Sequence, residues 1–129
     1  MQVELPDTPV MCVVAEGGLG GIRGAWDRLE DAFETFAGRR FYGVRWREEY
    51  RACVALEEGD NPETFGLERW SIPGGAYVSS KIDDWPKYTH EIPRRFADLE
   101  AVADIDRSRP EIEYYRTERE LILYLPITR

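Results

Sequence analysis

The residues best placed to do chemistry lie near the C-terminus, in Arg109-Pro110-Glu111-Ile112-Glu113-Tyr114-Tyr115. A run rich in Ile and Tyr and opened by a proline predicts a strand that starts at that proline or lies at an edge. Side chains alternate along a strand, so Glu111, Glu113 and Tyr115 share one face, while Ile112, Tyr114 and Arg116 share the other. A carboxylate beside a phenol then has two readings. It is an ordinary solvent-facing Glu, the commonest fate of that residue, or a charge built into an aromatic cleft. In a cleft, Glu113 would neutralise a bound cation held by electron-rich ring faces, or serve as a general base. Alternation alone leaves these open.

Other chemistry finds less support. His90 is the single histidine. No nucleophile stands at triad spacing from it, and Ser79 and Ser80 lack the Gly-x-Ser-x-Gly elbow. The glycines Gly17, Gly18, Gly20 and Gly21 precede a helical pattern, but neither a P-loop Lys-Ser/Thr nor Gly-x-Gly-x-x-Gly spacing is present, so they read as a sharp strand-to-helix turn. Cys12 and Cys53 sit in apolar strands without Cys-x-x-Cys spacing; reduced core thiols are expected, with no metal site and no cofactor. The remaining aromatics divide by context. Trp26, Phe33 and Phe96 fall on helical apolar stripes and read as core. Trp46 ends a strand beside the turn Arg47-Glu48-Glu49, as either rim or core. Trp85, in Asp83-Asp84-Trp85-Pro86 at a helix start, either lids a cleft or shields the helix end.

The elements that would position these residues come as two similar series. In the first, a strand over 9–16 and a glycine turn lead to a helix with Ile22, Trp26, Leu29, Phe33 and Phe36 at three- and four-residue steps. That helix ends near Ala37, where Gly38 acts as a C-terminal cap. Strands follow at about 40–46 and 49–57. In the second, a strand around 68–80 precedes a helix striped by Tyr88, Ile92, Phe96, Leu99 and Val102, then strands at about 110–116 and 120–127. Pro93 either kinks this helix or lies in its first turn. Glu57–Phe65 is the polar linker. Overlaying Phe41–Trp46 on Glu111–Arg116 sets Gly43 against Glu113, so one half offers space where the other offers a carboxylate. The predicted fold is α+β: tandem βαββ repeats, about 1–57 and 66–129, related by a pseudo-twofold axis. Antiparallel sheet carries the helices on one face and a ligand cleft lies between the halves, with Gly43 on the wall facing Glu113.

Composition bounds the alternatives. A chain of 129 residues that is 43% hydrophobic is a single folded domain. Its net charge of −8, from 25 acidic against 17 basic residues, argues against direct nucleic-acid binding, which needs Lys and Arg to neutralise phosphates. The same surface favours cationic ligands. No apolar run suits a bilayer and no signal segment opens the sequence, so no membrane partner and a cytoplasmic location are expected.

The segment Ile72-Pro73-Gly74-Gly75-Ala76-Tyr77-Val78, with Pro110–Tyr115 and Leu125-Pro126-Ile127, resembles the GyrI-like small-molecule-binding domains. These include gyrase-inhibitory proteins and the effector-binding domains of AraC- and MerR-type multidrug regulators. The family pattern runs Pro-Gly-Gly-x-Tyr, a helix, Pro-x-aromatic-Glu-x-Tyr, and a last strand ending Ile-Pro-Val. Glu113 and Tyr115 fall on its Glu and Tyr, while Ile112 stands where an aromatic is usual. Looser matches are Glu4-Leu5-Pro6, Trp26 with Leu29, and Tyr50-Arg51-Ala52-Cys53-Val54. The resemblance implies a stand-alone domain that binds hydrophobic, cationic or heteroaromatic compounds for sequestration or sensing. Its candidate lining is Glu113, Tyr115, Trp85, Trp46, Tyr77, Gly43 and Tyr50. The first alternative is a hydrolase of strained, cyclopropanoid-type electrophiles with Glu113 as general base and Tyr115 assisting. The second is a gyrase-inhibitor-like protein-interaction module. Whether the chain is an enzyme is left open.

Overall fold

A computed structural model of the chain describes residues 2–33 and 38–128, the Leu19 side chain excepted. Eight strands form one antiparallel sheet: β1 (Gln2–Leu5), β2 (Thr8–Val14), β3 (Phe41–Trp46), β4 (Glu49–Ala55), β5 (Glu68–Ile72), β6 (Gly75–Asp83), β7 (Glu111–Tyr115) and β8 (Glu120–Pro126). Their order across the sheet is β1-β6-β8-β7-β3-β4-β2-β5. The sheet curls into a half-barrel. Three helices accompany it: α1 (Ile22–Asp31), the single turn α2 (Pro62–Phe65) and α3 (Ile92–Val102).

Expectation and structure differ at definable places. The strand expected over 68–80 is broken into β5 and β6 at Pro73-Gly74, because proline cannot donate to the ladder and no side chain fits at Gly74 against the Leu5–Asp7 backbone. The linker carries α2, capped by the Asn61 side chain accepting from Glu63 N at 3.1 Å. Pro93 lies in the first turn of α3, so Tyr88 precedes that helix; Tyr88 and Val102 are exposed, at 42% and 82%, and do not belong to its apolar stripe. α1 ends at Asp31, with Ala32 in a turn, so Phe33 follows the helix expected to run to about Ala37; Phe36 and Ala37 themselves lie outside the described residues. β1, at a sheet edge on β6, carries too little apolar alternation to announce itself.

Cross-strand register shows which side chains share a face. Ser80, Leu123, Glu113, Gly43, Ala52 and Val13 are successive partners, forming one row across six strands. At one end of this face Phe96 of α3 buries against Ile82, Leu121, Leu123 and Leu125. At the other, Ala25 and Leu29 of α1 bury against Met11, Val13, Ala52 and Val54. Glu113 and Gly43 therefore lie in the seam between two helix-covered cores. The opposite face holds a third core built from Val10, Cys12, Val44, Cys53, Ile72, Tyr77 and Ile112.

Candidate functional site

Glu113 is 9% exposed and is the one buried charged side chain among the described residues. Two hydroxyls make that burial tolerable. Tyr50 donates to Glu113 Oε1 at 2.8 Å, from β4, and Tyr115 donates to the same oxygen at 2.9 Å, from β7. Among the described residues Oε2 accepts no hydrogen bond. The Tyr50 hydroxyl in turn accepts from Trp26 Nε1 at 3.0 Å, so an indole of α1 fixes the direction in which that phenol donates. A chain of donors thus runs from α1 through β4 to the carboxylate.

Rings close the seam. Tyr115 meets Trp26 edge-on at 5.4 Å and Trp85 at 5.0 Å between centroids, geometries favoured by ring quadrupoles. Trp85 lies in a 3₁₀ turn, Trp85–Lys87, entered through Asp84 at φ 55. Its indole hydrogen bond, to Thr117 O, is long at 3.5 Å. Gly43 is required by space: a Cβ there would collide with the Tyr50 hydroxyl and Glu113 Oε1.

The electrostatics keep the phenols as donors. Burial pushes Tyr50 far above the ordinary tyrosine range, and the neighbouring Glu113 and Tyr115 add to the rise. Tyr115 is raised by burial and then by Glu113. Two residues along β7, Glu111 is also raised, chiefly by burial and further by Glu100 and Glu113, against the pull of Arg45. A carboxylate with one oxygen held by two phenols and the other unclaimed can receive a cation, or orient and deprotonate water.

The structure brings Glu113, Tyr115, Tyr50 and Gly43 into contact and sets Trp85 against Tyr115. It does not bring in two of the expected lining residues. Tyr77 is on the opposite face, fully buried, donating to Pro73 O at 2.7 Å with the Arg109 guanidinium over its ring. Trp46 also alternates away from Gly43; its indole donates to Arg107 O at 3.3 Å and its ring walls a surface cavity of about 520 Å³. A second cavity, of about 180 Å³, lies by Tyr42, Tyr114 and Tyr124 on the face opposite Glu113. Glu113 lines neither cavity. Gly43 does not face Glu113 across a cleft; it is its hydrogen-bonded neighbour in the sheet, because β3 and β7 are adjacent. Trp26, expected only as core, joins the site. The signal was its indole N–H, which requires a partner when buried.

No family model matches the chain, and no curated protein matches it. Solved structures do share its fold. An integron cassette protein from the mobile metagenome of Vibrio cholerae superposes with a TM-score of 0.72 at 12% identity, covering 99% of this chain and 95% of that one. The protein SAV2435, solved bound to tetraphenylphosphonium, gives 0.65 at 16% identity, with 99% and 93% coverage. A protein from Listeria innocua described as a hydrolase gives 0.55 at 11% identity, with 99% and 90% coverage. At these identities the likeness establishes the fold alone: this chain has the same half-barrel architecture as all three.

Proposed function

We propose that the chain binds hydrophobic cationic or heteroaromatic small molecules at the Glu113 seam, as a GyrI-like domain. The observation that carries this reading is the buried Glu113 carboxylate, held by Tyr50 and Tyr115, which Trp26 and Trp85 flank in turn, with Oε2 unclaimed among the described residues. Aromatic faces attract a cation and the carboxylate neutralises it, with little water to screen either. That a neighbour of the same fold was solved with a lipophilic cation supports the choice of ligand class. We also propose that the two halves, each ββαββ because β1 and the split β5–β6 add a strand to the expected βαββ unit, are related by a pseudo-twofold axis passing between β3 and β7. The strand order reads the same when β1–β4 are exchanged with β5–β8 and the list is reversed.

Access requires a moving wall, and Trp85 serves as that wall: its indole makes one long hydrogen bond, at 3.5 Å, while the backbone of its turn stays anchored through Trp85 N to Arg119 O. Titrating the protein with tetraphenylphosphonium while recording amide and indole shifts tests the reading. Shifts at Glu113, Tyr115 and the Trp85 indole are expected. Shifts confined to the opposite face, or none at millimolar ligand, overturn it.

A hydrolase is the second reading, supported by the free carboxylate oxygen and by the hydrolase-described neighbour. Here Glu113 Oε2 takes a proton from water while the phenols hold Oε1. General-base catalysis contributes about 10²–10⁴-fold, so Glu113→Gln should abolish turnover of a cyclopropane-bearing electrophile and leave its binding intact. Mass spectrometry of the products decides it; conversion no faster than in buffer rejects the hydrolase.

A further inference from the structure

On the face opposite Glu113, Cys12 of β2 and Cys53 of β4 are direct cross-strand partners. The ladder around them shows which kind of pair they form. Ala15 N donates to Tyr50 O and Leu56 N donates to Pro9 O, both at 2.9 Å. Hydrogen-bonded pairs alternate along an antiparallel ladder, so Pro9 with Leu56, Met11 with Val54, Val13 with Ala52 and Ala15 with Tyr50 are of that kind. Cys12 with Cys53 falls between, a non-hydrogen-bonded pair, whose Cα atoms stand about 4.5 Å apart. That lies within the roughly 4.4–6.8 Å range of disulfides. Both thiols are free and buried.

The surroundings make the two sulfurs unequal. Cys53 Sγ donates to Arg51 O at 3.7 Å, and Arg51 Nη1 donates to Cys12 Sγ at 3.5 Å. The neighbouring Cys53 thiol first, and then Arg51, lower the Cys12 thiol against the opposing effect of burial. Burial, with the Cys12 contact adding to it, raises Cys53. Cys12 is thus the more acidic sulfur of the pair. Cys12 is 1% exposed, and the Arg51 side chain is part of its cover. Arg51 lies over the Trp70 ring at 4.6 Å and pairs with Glu49, whose side chain is 52% exposed. On its other side the partner of Cys12 is the exposed Glu68.

We propose that Cys12 and Cys53 are a reactive cross-strand dithiol that a hydroperoxide converts to a disulfide once Arg51 swings aside. The Cys12 thiolate attacks the peroxide, the O–O bond breaks, and the alkoxide leaves as alcohol after taking a proton. The resulting Cys12 sulfenic acid is attacked by Cys53, which loses its proton as the hydroxyl departs as water. Two thiols and one hydroperoxide become one disulfide, one alcohol and one water. This is independent of any ligand at Glu113.

The test treats the native protein with stoichiometric hydrogen peroxide, then denatures and alkylates it for mass spectrometry. Loss of two hydrogens with no alkylation, reversed by dithiothreitol, is expected, with a peptide linking the two strands. Cys53→Ser should stop at a Cys12 sulfenic acid trapped by dimedone, and Arg51→Gln should change the oxidation rate. Two alkylated thiols after peroxide, a disulfide formed only in denaturant, or covalent dimers in its place overturn the proposal. So does dimedone labelling of Cys53 in Cys12→Ser at the rate seen for Cys12.

Discussion

Glu113 can be buried because each feature of its surroundings answers a physical cost. Desolvating a carboxylate is expensive unless hydrogen bonds replace water, and Tyr50 and Tyr115 supply two of them. Strand alternation was enough to set Glu113 and Tyr115 on one face of β7. It could not bring in Tyr50, because partnership across the sheet depends on register, which is absent from local sequence. The same gap explains Tyr77, whose parity within β6 was readable but whose face relative to β7 was not. At this scale Gly43 makes the sharpest prediction. Gly43→Ala drives a methyl between the Tyr50 hydroxyl and Glu113 Oε1, with an overpacking cost of about 1–3 kcal/mol. Denaturant midpoints should show that loss, and it should shrink in a Tyr50→Phe background, where the clashing hydroxyl is gone. A Gly43→Ala variant as stable as the wild type contradicts the geometry.

At the scale of elements, hydrophobic period found most of the strands and helices but not their function as walls. The stripe containing Leu29 and Trp26 was legible; that Trp26 also points its N–H into the seam was not, since period says which face is buried and nothing about hydrogen-bond direction. Val102 was misplaced because an apolar residue at a helix's last position need not be buried; the chain turns away there. Leu29→Ala should therefore cost about 2–5 kcal/mol, while Val102→Glu should stay within about 0.5 kcal/mol of wild type. Equal effects in thermal melts contradict the placement of α1 and α3. The side-chain contact of Tyr50 on β4 with Glu113 on β7 carries a pH signature as well. Tyr50 and Tyr115 are raised in the folded state, so as pH climbs the unfolded chain loses those protons first. Their contribution is intact below about pH 10 and is lost above it. Melting temperatures from pH 8 to 11 should fall more steeply for wild type than for Tyr50→Phe with Tyr115→Phe; parallel curves contradict the burial of these phenols.

For the whole molecule, the strand order places the seam at the centre of the sheet, with four strands on either side of the β7–β3 contact. The sequence pattern could not foretell that β3 and β7 would pair, which sets Gly43 beside Glu113 and not across a cleft from it. The net charge of −8 adds a long-range attraction for cations that salt screens over about 8–10 Å. Affinity for a cationic ligand should fall as ionic strength rises, while that for a neutral analogue should not; identical salt dependence contradicts an electrostatic contribution. Among the described residues no helix is long and apolar enough to cross a membrane.

The central claim is that the Glu113 charge selects the ligand, and calorimetry on two ligands and two proteins isolates it. Tetraphenylphosphonium and the neutral triphenylphosphine oxide would be titrated into wild type and Glu113→Gln. A charge-assisted contact contributes about 1.5–3 kcal/mol, so the substitution should weaken the cation roughly tenfold or more and leave the neutral compound nearly unchanged. Equal affinities of the two proteins for the cation, or an equal loss for both compounds, would contradict it.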